Sequence, residues 1–122
     1  MRMNAHTHAA HEVEYVEIAV EVFAMLADAT RVRIVLALRD GELPVGELAA
    51  AVGKAQAAVS QHLAKLRLTR MVATRQDGNR VYYRLVDEHA RDLVESALHQ
   101  AEHAVDAAPA HHSRAARHRG DA

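Results

Sequence analysis

The apolar residues of this chain recur every three to four positions except in one window, and that exception constrains the fold more than any other feature. Between Val72 and Val86 the spacing drops to two, with Val81, Tyr82 and Tyr83 in its second half and Asp77-Gly78-Asn79 at its centre. Period two is the signature of strands, and a Gly-containing polar triplet between two such runs closes them into a hairpin. Helical periodicity on both sides then predicts one β-hairpin set into an otherwise helical domain.

The helices can be placed one by one. Val16, Val20, Phe23 and Leu26/Ala27 give a first amphipathic helix over 14–27. Asp28 or Thr30 can cap a second, whose buried side is Val32, Val35, Leu36 and Leu38 and which stops at Asp40-Gly41. Pro44 opens a short third helix, Val45–Val52, closed by Gly53. Only Lys54–Gln56 separates it from a run with Val59, Leu63 and Leu66 on one face, so two short helices meet at a tight turn. After the hairpin, Leu93/Val94, Ala97/Leu98, Ala101 and Ala104/Val105 form the stripe of a last long helix ending before Pro109. The predicted order is α-α-α-α-β-β-α, mainly helical: a helix-turn-helix followed by a wing. Residues 1–12 and 107–122 lack an apolar face and read as a disordered His-containing arm and a flexible His/Arg-rich tail around a domain at 13–106.

Composition agrees. With three Tyr, one Phe and no Trp in 122 residues, the core must be built from Ala, Val and Leu, which suits close-packed helices. The absence of Cys excludes disulfides, thiolate metal sites and cysteine nucleophiles. No apolar run approaches the ~20 residues of a membrane span, so a cytoplasmic protein without membrane attachment is expected. The net charge of −1 conceals segregation: every charged residue over 12–21 is acidic, whereas 54–84 carries Lys54, Lys65, Arg67, Arg70, Arg75, Arg80 and Arg84 against Asp77 alone.

That local basic surface coincides with the helix-turn-helix and the wing. Turning Val59, Leu63 and Leu66 inward leaves Ala57, Gln61, Ala64 and Lys65 outward, with Ser60 and Arg67 at the flanks. Small and polar side chains let a helix enter the major groove, where Gln pairs with adenine and Ser serves base or phosphate. The expected DNA-contact set is Lys54, Gln56, Ala57, Ser60, Gln61, His62, Lys65 and Arg67, joined by Arg75 and Arg80 of the wing. Gln61 and Ser60 are the base readers. His62 lies nearer the inward edge. One such unit binds weakly, so a homodimer on a palindromic double-stranded operator is expected.

The segments MLADATRVRIVLAL, LPVGELAAAVG, AVSQHLAKLR and DGNRVYYRL resemble the ArsR/SmtB family of metal-responsive winged helix-turn-helix regulators. The resemblance runs from about Glu14 to about Ala104 and implies a dimer built on the first and last helices. Two departures stand out. Where soft-metal sensors of the family carry Cys, this chain has Leu43-Pro44-Val45-Gly46-Glu47-Leu48, and where Gly commonly follows the recognition helix it has Arg70, which suggests a different exit from that helix.

Ten His is the last anomaly, and all but His62 precede Glu12 or follow Glu88. On the last helix His89 and His103 share a face but stand about 21 Å apart along the axis at 1.5 Å per residue. An antiparallel partner helix would bring His89 of one subunit to His103 of the other. By resemblance, the family's usual zinc site matches Asp87, His89 and His103 but meets Gln100 where a His belongs. The actinobacterial nickel/cobalt-sensing members map onto His89, Glu102, His103, His111 and His112. Nitrogen and oxygen donors without sulfur suit six-coordinate Ni(II) or Co(II), with Zn(II) as the alternative. Asp87 and His99 are additional or alternative ligands; His99 lies one turn from His103. His6, His8 and His11 could supply a further ligand or none, and His118 faces solvent. The expected function is a repressor released from its operator by metal. The competitors are a regulator of the same family without a metal effector, a metal-dependent activator, and a small metalloenzyme, which lacks a His-Glu-x-x-His element or a nucleophile motif.

Overall fold

The computed structural model describes residues 2–107, with side chains over 12–107. Its elements are α1 (Arg2–Met25), α2 (Ala29–Leu38), β1 (Leu43–Pro44), α3 (Val45–Val52), α4 (Gln56–Leu68), β2 (Val72–Asp77), β3 (Arg80–Leu85) and α5 (His89–Ala107). The hairpin stands where the period-two window placed it, in register from Val72 opposite Leu85 to Asp77 opposite Arg80. Gly78 takes φ +61 at its tip, a conformation open to Gly at little cost.

The core joins these elements from one side. Ile34 and Val35 of α2, Leu48 of α3, and Val59, Leu63 and Leu66 of α4 are all 0% exposed. Met71 and Val72 continue it into the hairpin, and Ala90 and Val94 of α5 close it from the far side. Its buried members are Ala, Val, Leu, Ile and Met throughout, and among the described residues no polar side chain is buried.

Three expectations need correction. First, the helical path begins at Arg2, so 2–12 is helix where a disordered arm was expected. No Gly or Pro interrupts Arg2–Met25, and its Ala, Met and Glu favour helix in the absence of any apolar periodicity. Second, the sheet has three strands in the order β1-β3-β2, not two: Leu43 pairs with Tyr83 and Pro44 with Tyr82. Two residues carry no period, and Pro at the edge of a sheet loses no needed ladder bond. Pro44 still opens α3 as its N-cap residue, and Gly53 closes it at φ +68. Third, α4 does not leave by a different route. Arg70 itself adopts the left-handed conformation at φ +60, and Met71 N donates to Leu66 O at 2.9 Å. That conformation costs a non-Gly residue about 1 kcal/mol, offset here by the capping bonds and by Thr69 Oγ1 donating to Leu66 O at 3.1 Å. At the other end of the chain, α5 runs through Ala107, one residue past the expected domain limit.

Candidate nucleic-acid interface and effector helix

α3 and α4 cross through a turn of three residues. Gly53 supplies the left-handed step, and Lys54 N donates to Ala49 O at 3.1 Å, which ends α3 and redirects the chain into α4. With Val59, Leu63 and Leu66 buried, Ala57, Ser60, Gln61, Lys65 and Arg67 all lie on the exposed side of α4, and Lys54 and Gln56 are exposed at its start. Gln56 leans back over α3: its Nε2 would stand 3.4 Å from a Cβ at Gly46. The other exposed side chains leave a small, polar, basic ridge about three turns long.

His62 is placed differently from its neighbours. Its side chain is 22% exposed and turned toward α2, where Arg31 Nη1 lies 3.2 Å from His62 Nδ1 and Asp28 Oδ1 lies 4.0 Å from it. Asp28 caps α2 by accepting from Arg31 N at 3.0 Å. That backbone N–H has the largest effect and, with the Arg31 guanidinium, holds the Asp28 carboxyl below its usual range against the opposing effect of desolvation.

The wing arginines also differ from each other. Arg75 donates from Nε to both carboxylate oxygens of Glu42 at 3.1 Å, reaches Glu42 again through Nη2, and lies 4.7 Å from the centroid of the Tyr82 ring. These bonds lower the Glu42 pKa and raise that of Arg75. Arg80, near the tip, shares the Tyr82 ring at 5.7 Å and is not itself bound to Glu42. Thus Arg75 is fastened to the wing's base and Arg80 is the freer cation. Sequence reasoning offered Asp28 only as a helix cap and did not find Glu42 or Arg31. Glu42 and Arg75 are 33 positions apart, and no local pattern joins them.

α1 and α5 form the other exposed surface. Val13, Val16, Val20 and Phe23 recur on one face of α1 and Tyr15 and Ile18 on another, all exposed; Phe23 is 58% so. Among the described side chains, Val22 and Met25 at the end of α1, with Leu26 just after it, pack against the core of the protomer. Phe23 and Leu26 join Val32, Leu93 and Leu98 around an apolar groove of 250 Å³. His89 lies on the same helix beside Leu93, in a shallow depression shared with Asp92 and Ser96. Asp87 turns its Oδ1 to His89 N at 2.9 Å, starting α5. His99 Nδ1 lies 3.9 Å from Glu102 Oε2, both strongly exposed. Within one protomer, no three His, Asp or Glu among the described residues converge on a common point. His111, His112 and His118, and the side chains of His6, His8 and His11, lie outside the described residues.

Residues 28–74 match the model of the bacterial regulatory proteins of the arsR family. Over 95 residues the chain is 56% identical to the HTH-type transcriptional regulator KmtR of Mycobacterium tuberculosis, covering 78% of this chain and 73% of that one. The chain belongs to the ArsR family. It is therefore a DNA-binding transcriptional regulator and not an enzyme. NmtR of the same organism is 40% identical over 78 residues, 64% of this chain and 65% of that protein. Among solved structures, the homodimeric winged helix-turn-helix DNA-binding domain of a possible ArsR-family regulator from Mycobacterium bovis superposes with a TM-score of 0.66 at 27% identity, over 75% of this chain and 84% of that one. The winged helix-turn-helix expected from the period switch is thus the architecture of this ArsR-family regulator. No helix among its described residues is long and apolar enough to cross a membrane.

Proposed function

We propose that this ArsR-family protein is a homodimeric repressor that binds a palindromic operator through α4 and the wing and is released by Ni(II) or Co(II) held between the two copies of α5. The observation that carries this reading is the division of donors along α5. His89 opens the helix, Glu102 and His103 stand near its end, and about 21 Å of axis at 1.5 Å per residue separates the two groups. One protomer cannot unite them, whereas an antiparallel partner helix packed on the exposed apolar face of α1 and α5 brings each His89 to the partner copy's Glu102 and His103. His111 and His112 would complete the set from the tail, with Asp87 and His99 as further donors. The donor set is nitrogen and oxygen without sulfur, which fits nickel and cobalt and leaves zinc as the weaker candidate.

In this mechanism the metal supplies a cross-link, and the protein converts it into distance between the reading heads. Ser60 and Gln61 of each protomer must reach half-sites about one helical turn of DNA apart. A change in the angle between the paired α5 helices moves them out of register. The coupling is reciprocal, so operator DNA weakens metal binding by the same factor. Titrating Ni(II) into the apo-dimer while following operator binding tests the proposal. Affinity falls on metal addition in the wild type and stays unchanged by metal in His89→Ala and His103→Ala. An operator affinity indifferent to Ni(II), Co(II) and Zn(II) in the wild type would leave a regulator without a metal effector, and a rise would make it a metal-dependent activator.

A further inference from the structure

The end of α1 and the end of α4 face one another across a gap. A cleft of 380 Å³ lined by Glu21, Ala24, Met25, Arg31, Lys65 and Thr69 lies between them. One side chain crosses this junction. Arg31, in the first turn of α2, donates from Nε to Met25 O at 2.6 Å and from Nη1 to His62 Nδ1 at 3.2 Å. Met25 O is one of the orphan carbonyls at the end of α1, and it accepts from the same guanidinium that reaches the recognition helix. A guanidinium has no acceptor, so Nδ1 must be the bare nitrogen of the imidazole and the ring proton sits on Nε2.

We infer that Arg31 and His62 are a positioning pair that fixes the angle of α4 against the end of α1, and that His62 serves operator binding through Nδ1 and not by touching DNA. The geometry favours this role over base or phosphate contact. His62 alone among the polar residues of α4's middle turns is half-buried, and its one described hydrogen bond faces inward, away from the ridge of Ser60, Gln61 and Lys65. Asp28 holds Arg31 in place from the same end of α2, where its Oδ1 accepts from the Arg31 backbone N–H at 3.0 Å. Because the link ends on α1, a helix whose apolar faces await a second copy, the orientation of the reading head is tied to the dimer and not only to its own core. The inference rests on α4 being the helix that enters DNA.

The side-chain chemistry supplies a discriminating test. Asn places an acceptor oxygen where His carries Nδ1, and Gln places its amide where His carries Nε2. A duplex selected by the wild-type dimer from a random pool serves as the probe, so retention in that selection establishes DNA binding before any variant is made. Against it, His62→Ala and His62→Gln should each bind about tenfold more weakly, as expected for loss of a hydrogen bond from a charged donor, while His62→Asn stays within about threefold of wild type. In a double-mutant cycle Arg31→Ala with His62→Ala should weaken binding no more than the worse single change. Wild-type affinity in His62→Gln with loss in His62→Asn would make Nε2 a DNA contact and overturn the inference. Equal loss in all three His62 variants, no loss in His62→Ala, or strict additivity in the cycle would overturn it as well.

Discussion

The two exposed surfaces of this protein are built in opposite ways. Around α3, α4 and the hairpin, the inward rows and several polar side chains have their partners inside the chain, with Leu68 left exposed at the end of α4: Val59, Leu63 and Leu66 are sealed, Arg75 is clamped to Glu42, and His62 is held by Arg31. Along α1 and α5, Val13, Val16, Ile18, Val20, Phe23, Leu93 and Leu98 are exposed in the protomer, and the described His side chains meet no third donor. The first surface is complete in one protomer and is the proposed DNA reader. The second is incomplete in one protomer, as the proposed input through quaternary shape requires.

Breaking the incomplete surface should have the largest effect. Phe23→Glu places two charges in a two-fold interface and removes two large apolar contacts at once, so the dimer should dissociate at micromolar concentration and operator affinity should fall about a hundredfold or more. Sedimentation and operator titration read both, and a stable Phe23→Glu dimer would place the interface elsewhere. Breaking the complete surface should instead appear as lost folding stability. Leu63→Ala opens a cavity at a fully buried position and should cost about 3 kcal/mol in urea denaturation. Phe23→Ala, made for comparison, should change the stability of the isolated protomer by less than about 0.5 kcal/mol. Reversal of that ranking would mean that α1 belongs to the protomer core.

The smallest effect sharpens the comparison at the α1–α2 corner. Asp28 caps α2, and its pKa is depressed by the Arg31 backbone N–H and by the neighbouring positive charge. A carboxyl lowered on folding stabilises above its unfolded pKa, near 3.9, and loses that contribution as pH falls through the folded value. Asp28→Ala should therefore cost about 1 kcal/mol at neutral pH, and the difference from wild type should shrink as the pH drops below about 4. A difference independent of pH would show that packing, and not the charged cap, is lost.

Much of this was legible before any coordinate. The period switch at Val72, the Asp77-Gly78-Asn79 turn, the Asp28 cap and the inward row of Val59, Leu63 and Leu66 are local patterns, each spanning a few residues whose backbone geometry fixes side-chain direction. Such patterns also ranked Gln61 above His62 as a reader. They missed β1, because two residues show no periodicity, and the helix over 2–12, because helix propensity without an apolar stripe leaves no periodic mark.

The sequence by itself determined the succession of the five helices and the hairpin, the inward row of α4 and its outward face, since all three follow from spacing along one segment and the burial it demands. Tertiary structure alone decided which polar side chains are free. Arg75 and His62 look like DNA ligands in the chain and are held by Glu42 and Arg31 in the fold, partners 33 and 31 positions away. Hydrogen bonds between such distant groups depend on how helices and strands are brought together, and no periodicity along the chain records that.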